Sequence, residues 1–406
     1  MFSTAALLAV APLRAQAAPD YLHCERFLVK ADLSTPKRPL EKLDRLRIGS
    51  YNVENLFLHL GHHEPVPGTR GMNRVTEQKI KPLNKIDGVA RAILDMKLDI
   101  VVVQEVEDIE ALQSLAEHHL NGEYQAILVE GNDPRGIDVG FLIKKDLPFE
   151  IENHSFRKET WVDPRLRDAE PSPIFSRDLP ALVIRAQGAP KDSAPLLVLL
   201  GTHFKSKRPL KDPNAIKPDP ESAIARGAQV KRAAEIILRY KQQYGNDLPI
   251  MLAGDFNGAV NLEPEFRSLH DRAGMDDAFD VGDHKISGND RVTHVYFPGR
   301  GEAPDAKQMD AIFVSPELKD SITKTGVYRY KRNDGKEYPL PRNKHIRDKN
   351  PSDHFPIGVE IETSKLKARA PKTQQPQSMN NVIPLRPRGH QPFVVPGDLV
   401  AARARV

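Results

Sequence analysis

The sequence predicts a layered α/β or α+β domain. Two observations carry this: short apolar runs that end abruptly in polar residues, and stretches of helical period between them. From Arg47 onward the two kinds alternate over some 315 residues.

In chain order, "RIGSYNV" reads as a strand. Residues 84–98 place Ile86, Val89, Ala90, Ile93 and Leu94 at helical spacing. "DIVVVQEV", "ALVIRA", "PLLVLLGTHF" and "PIMLAGDF" are buried strands in one style. A helix is expected over 220–243, carrying Ile224, Ala228, Val230, Ala234, Ile237 and Leu238. Phe355, Ile357, Val359 and Ile361 alternate with Pro356, Gly358 and Glu360, the period of two of a half-buried strand. Residues 59–83 and 205–221 are rich in Pro, Gly and Lys and read as long surface loops, with Lys205, Lys207 and Arg208 a solvated run or, since they follow His203 directly, a guide for a polyanion. The expected organisation is a signal peptide over 1–18, a lead-in over 19–45, one domain over 46–363, and a Pro-rich disordered basic tail over 364–406.

Charge divides unevenly. The chain carries +4, but residues 363–406 hold eight Lys or Arg against the single acid Asp398, a net +7. The remainder has 51 basic and 54 acidic residues, a net −3. The body is therefore not a basic protein, and attraction to a polyanion has to come from local patches, metal ions or the tail. The single cysteine, Cys24, cannot form an internal disulfide. Residues 5–13 are apolar and Ala15-Gln16-Ala17 matches a signal-cleavage pattern, although the basic residues that usually precede one are missing. Export to a periplasm or medium is the expectation, with a cytoplasmic location if this is no signal. The run falls short of the roughly 20 apolar residues a membrane span needs, so no stable membrane insertion is expected. Nothing in the sequence points to a protein partner or an oligomeric state.

The polar residues at strand ends carry the chemistry. "SYNVEN" supplies Asn52, "VVVQEVED" Glu105, "DPRGIDVGF" Asp138, "FSRDLPAL" Arg177 and "GTHFKSK" His203. "LAGDFNG" supplies Asp255 and Asn257, "KQMDAIF" Asp310, and "PSDHFPI" Asp353 and His354. A carboxylate or amide at the end of a buried strand is costly unless something binds it. Oxygen donors of this kind suit magnesium, with manganese or calcium as alternatives. Without a second cysteine or a close histidine cluster, zinc is disfavoured. Two histidines near acids are suited to general acid–base work, and an arginine to a phosphate oxygen. Each residue alone has a plainer reading: Asp255 and Asn257 as a turn, Glu105 as a helix cap, Arg177 in an ion pair with Asp178 or Glu170. Glu54 is read as structural or exposed.

The ordered series "YNVENLF", "QE", "TH", "GDFN" and "SDHFP" resembles the endonuclease/exonuclease/phosphatase superfamily, which includes deoxyribonucleases, abasic-site endonucleases, inositol polyphosphate phosphatases and sphingomyelinases. The resemblance runs from about residue 47 to 362. It implies an α+β four-layer sandwich, two packed mixed sheets flanked by helices. It implies that Asn52, Glu105 and Asp353 serve a metal, that Asp255 activates water, and that Asn257 and Arg177 contact phosphate. It pairs Asp310 with His354, and Asp138 with His203 on the leaving-group side. The implied activity is metal-dependent hydrolysis of nucleic acid, with an inositol-phosphate or phospholipid phosphoesterase and a non-catalytic binding module as alternatives. Two positions depart from the deoxyribonuclease branch: Glu107 stands where an arginine follows the "QEV" motif, and Gly136 where a tyrosine precedes the acid. Both contact nucleic acid in that branch.

Overall fold

The computed structural model describes residues 20–30, 34–59, 79–164, 170–190, 193–207, 220–282, 285–298, 303–332 and 334–366. The expected signal, the tail from residue 367 onward, Arg208 and most of the two long loops lie outside them. The chain divides into two compact units, Met1–Pro371 and Lys372–Val406, the second wholly outside the described residues.

Among the described residues, two large mixed sheets dominate the first unit, with two small two-stranded sheets beside them, one of them pairing His294–Tyr296 with Asp305–Lys307. Of the large sheets, one has seven strands in the order Glu25–Leu28, Phe149–Ser155, Ala181–Ala186, Leu197–His203, Ile250–Asp255, Asp310–Val314 and Asp276–Asp277. The other has six, in the order Ile322–Val327, Ile357–Glu362, Arg45–Leu56, Ile100–Val106, Asp138–Lys144 and Tyr124–Leu128. Their facing sides share one core, with Ile48, Val102, Val139 and Phe141 packed against Leu199, Met251, Ala253 and Ile312. Strands buried on both faces lack alternation, which is why the sequence shows continuous apolar runs.

Helices cover the outer faces. Helix Leu83–Asp95 lays Ile86, Val89, Ala90 and Ile93 on the six-stranded sheet. Helix Pro220–Tyr244 begins with Pro, whose missing N–H costs nothing at a first helical position, and lays Val230, Ala233, Ala234, Ile237 and Tyr240 on the seven-stranded sheet. Ile224 and Leu238, expected on that face, are exposed; Tyr240 and Ala233 take the contact instead. The four layers are those expected. The lead-in also belongs to the fold: Glu25–Leu28 is the edge strand of the larger sheet and Leu22 is fully buried.

Candidate active site

Asp255 is the centre of the site. Its strand lies between two others in register, with His203 opposite Asp255 on the parallel side and Asp310 opposite it on the antiparallel side. Gly254 makes the close spacing possible, since a Cβ there would stand 1.9 Å from the Thr202 carbonyl oxygen. Asp255 Oδ1 accepts from the Asn257 N–H at 2.7 Å, and Oδ2 from Asn52 Nδ2 at 3.0 Å and Asn257 Nδ2 at 3.2 Å. Asn52 reaches across from the other sheet, so the site spans the ends of both. The turn reading of Asp255 and Asn257 is half right: Asn257 adopts φ 53°, but its amide also ties Asp255 to the Phe204 carbonyl at 3.0 Å. Burial pushes the Asp255 carboxyl up to about 7, with His354 opposing and Asp310 reinforcing.

Two imidazoles face the same oxygen of Asp255. His354 Nε2 stands 3.8 Å from Oδ2 and His203 Nε2 3.5 Å from it, both too long for direct hydrogen bonds. Behind His354, Nδ1 meets Asp310 Oδ2 at 2.8 Å, the pair that the resemblance implies. Burial works against charge on His354, but the Asp310 and Asp255 carboxylates overcome it and hold its pKa well above the ordinary value. Asp310 Oδ1 is buried with no hydrogen-bond partner among the described residues.

His203 is held the opposite way. Arg177 approaches both ring nitrogens, Nη2 to Nε2 at 3.0 Å and Nε to Nδ1 at 3.3 Å. A neutral ring has one acceptor nitrogen. Nδ1 accepts from Arg177 Nε, which leaves the proton on Nε2, the nitrogen that faces Asp255. Burial, then Arg177, Arg135, His354 and Lys205, push the His203 pKa well below its ordinary value. Lys205 itself is pushed down to about 8 by burial and the same two arginines. Arg177 is nearly buried and also meets Asp133 at 3.4 Å and Ser176 at 2.9 Å, so its ion-pair partner is neither Asp178 nor Glu170.

The Asp138–His203 pair expected from the resemblance does not form. Asp138 begins its strand and turns Oδ1 back to accept the Gly131 N–H at 2.7 Å, which closes the preceding loop. Burial raises its pKa well above the carboxylate range. A neutral acid satisfied by backbone cannot polarise an imidazole, and Arg177 occupies that place.

Glu105 reaches the site through a bulge. Gln104 pairs with Val139 and Val106 with Asp138, which leaves Glu105 unpaired at φ 63°. Bulges re-aim a side chain in this way. The adjacent strand bulges too, with Glu54 at φ 51° and Asn55 at φ 55°. Glu105 Oε2 accepts the Asn55 N–H at 3.0 Å, while Oε1 lies 3.9 Å from His203 Nε2. Asp108, not Glu105, caps the following helix by accepting the Ala111 N–H at 2.7 Å.

Sequence reasoning missed His294. Its Nε2 lies 3.6 Å from Asp353 Oδ2, its ring 4.7 Å from that of His354, and its buried Nδ1 has no hydrogen-bond partner among the described residues. A histidine inside the apolar "VTHVYF" was the available signal. Glu54 was also passed over. Its carboxyl meets Lys85 at 3.2 Å, and burial and the nearby Asp353 raise its pKa. Asp353 stays well below the usual range, because His294, His354 and Arg347 outweigh its burial.

These donors fit a divalent cation. His294, Asp353 and His354 bring polar atoms within 4.8 Å of one another, as do Asp255, Asp310 and His354; His354, charged and bonded to Asp310, is no ligand, which leaves His294 with Asp353 and Asp255 with Asp310 as donors. The Asp310 oxygen with no hydrogen-bond partner among the described residues, and the Asp310 carboxylate's push on the buried Asp255, favour a cation beside them. Of the expected set Asn52, Glu105 and Asp353, only Asp353 falls in these groups. Asn52 spends Oδ1 on the Glu54 N–H at 3.0 Å, and Glu105 accepts the Asn55 N–H with Oε2, its Oε1 meeting no backbone donor among the described residues.

The two departures have structural explanations. Glu107 is buried and accepts the Leu58 and His59 N–H groups at 2.6 and 3.0 Å, so it fixes the start of a loop. Gly136 turns the chain at φ 62°, a conformation that would strain a tyrosine.

Residues 49–354 match the Endonuclease/Exonuclease/phosphatase family, and the chain belongs to that family. Its members are divalent-metal-dependent phosphoester hydrolases, so the protein is an enzyme of that class. No curated protein sequence matches the chain. Among solved structures, it is similar to TDP2 from C. elegans, at 15% identity and TM-score 0.49, over 78% of this chain and 75% of that one. It is also similar to an endonuclease/exonuclease/phosphatase family protein from Bacteroides thetaiotaomicron, at 17% identity and TM-score 0.45, over 78% and 97%. A mannosyl-6-phosphatase from the same organism matches at 17% identity and TM-score 0.43, over 77% and 98%.

Proposed function

We propose that this enzyme hydrolyses phosphodiester bonds of nucleic acid, with magnesium or manganese as its ion. The observation that supports the reading most is the placement of two imidazoles, in opposite electrostatic states, on either side of Asp255 Oδ2. Glu105 and Asp353, with Asn52 beside them, would hold a divalent ion, which would supply charge neutralisation at a phosphate oxygen. Asp255 takes a proton from the attacking water, which its pKa of about 7 allows at neutral pH. His354, kept protonated by Asp310, donates to the phosphate, and Asn257 offers its amide on the same side. On the far side, neutral His203 contributes a hydrogen bond while Arg177, Arg135 and Lys205 contribute the positive charge that favours a departing oxyanion.

A second reading, a phosphatase or lipid phosphoesterase, is favoured by Glu107 and Gly136, which make no surface for DNA where the deoxyribonuclease branch has one. No helix among the described residues is long and apolar enough to cross a membrane. The purified chain, with Asp255→Asn as control, should be assayed in parallel on supercoiled plasmid, single-stranded DNA, RNA, inositol phosphates and sphingomyelin. Metal-dependent plasmid nicking lost in the variant is the expected result. Release of inorganic phosphate with nucleic acids untouched overturns the nuclease reading. We also propose export on the strength of Ala15-Gln16-Ala17; N-terminal sequencing of the protein from its native cell tests it.

A further inference from the structure

Residues 328–350 join strand Ile322–Val327 to the segment that carries Asp353 and His354. They hold eight Lys or Arg against three acids, a net +5, plus His345. The rest of the chain before residue 363 has 43 basic and 51 acidic residues, a net −8. This one connection is therefore a basic island on an acidic body.

Its base is fixed to the site. The buried Tyr330 hydroxyl meets Tyr51 at 2.7 Å and donates to the His354 carbonyl at 2.6 Å. Arg329 stacks over Phe355 at 4.7 Å and donates to the Val292 carbonyl at 2.7 Å. Arg347 lies over Phe297, three residues past His294, at 5.8 Å, and its charge reaches Asp353. The outer residues are different. Arg332, Lys336, Arg342, Lys344 and Lys349 are exposed and meet no carboxylate among the described residues. The short helix Lys344–Arg347, capped by Asn343, presents part of this charge, and Tyr338 is 49% exposed beneath Arg332 at 5.5 Å. A run of unpaired cations with an exposed aromatic ring is the surface that a single nucleic-acid strand uses, with charge along the backbone and a ring for base stacking.

We propose that residues 328–350 form a docking arm for a nucleic-acid strand, holding polymer on the Asp353 side of the hydrolytic centre. The arm rests on the nuclease reading above and specifies how this chain grips polymer without the residues replaced by Glu107 and Gly136. Its contribution is electrostatic, so it acts on long substrates and not on a small diester.

The test uses the full chain with four exposed cations neutralised, Lys336→Gln, Arg342→Gln, Lys344→Gln and Lys349→Gln. A control variant loses the same charge elsewhere, at the exposed Lys42, Lys97, Lys231 and Arg267. Binding of a fluorescent single-stranded oligonucleotide, in chelator and across a salt series, is the first readout. The arm variant should bind at least about tenfold more weakly at low salt, with a log–log salt slope shallower by about 2–3, given roughly 0.7 per phosphate contact. The control should lose far less. Hydrolysis of bis(p-nitrophenyl) phosphate is the second readout and should be unchanged in both variants. Equal losses in arm and control variants overturn the arm, because general charge then explains the binding; so does an unchanged salt slope. A wild-type chain that cleaves the small diester and leaves all nucleic acid intact overturns the nuclease reading, whereas the binding comparison still judges the arm by itself.

Discussion

His354 and His203 face one carboxylate oxygen and differ in everything behind them. Asp310 backs His354 at Nδ1 while Asp353 approaches Nε2 at 4.0 Å, and the ring is held charged. Arg177, Arg135 and Lys205 back His203, and the ring is held neutral. The residue type therefore does not set the role. The elements that meet behind each ring do, and they divide the site into an acidic flank fit for a cation and a basic flank fit for an anion.

The acidic flank should show the largest effects. His354→Ala and Asp255→Asn should each lower kcat/KM on a diester by about 10³–10⁴, roughly 4–5.5 kcal/mol of barrier. Steady-state kinetics at saturating magnesium checks this. If both variants keep near-wild-type rates, the acidic flank is not the reacting side.

Stability against pH comes next. A buried carboxyl with a raised pKa binds its proton more tightly folded than unfolded, so stability falls as pH climbs from about 4 to 7. His354, with a raised pKa, contributes stability that is present below the unfolded value and lost as pH rises through the folded one. Both act in the same direction without metal. Calorimetry in chelator should show Asp255→Asn losing less stability than wild type between pH 5 and 8, by ~2–4 kcal/mol. Parallel curves would mean that Asp255 is not strained by burial.

Metal dependence sharpens the division further. Glu105→Gln should raise the magnesium concentration for half-maximal activity roughly tenfold or more, and weaken manganese binding measured calorimetrically to match, with the circular dichroism unchanged. Full activity of the wild type in excess chelator would remove the cation from the acidic flank altogether.

The smallest effect belongs to His203. Because a neutral ring backed by arginine assists departure only by hydrogen bonding, His203→Ala should cost about tenfold on a poor leaving group and two- to threefold on p-nitrophenolate. An equal loss on both would contradict its assignment to the leaving-group side.

The layered fold was legible because periodicity and apolar runs are local properties of the chain. Asp255, Asn257, Asp310 and His354 stand out by residue type at strand ends, and the fold brings them into contact. What the sequence could not determine is who stands behind whom. Asp138 and His203 are both at strand ends, yet Asp138 turns to the Gly131 amide and Arg177 takes the ring, an outcome set by loop closure. His294 is distant from Asp353 along the chain and meets it through the packing of the short strand His294–Tyr296. Glu105 enters the site because a bulge leaves it unpaired at a left-handed φ, and no local pattern encodes that register shift. Side-chain chemistry is written residue by residue; the electrostatic state of each group depends on neighbours from other strands, and only the folded arrangement supplies them.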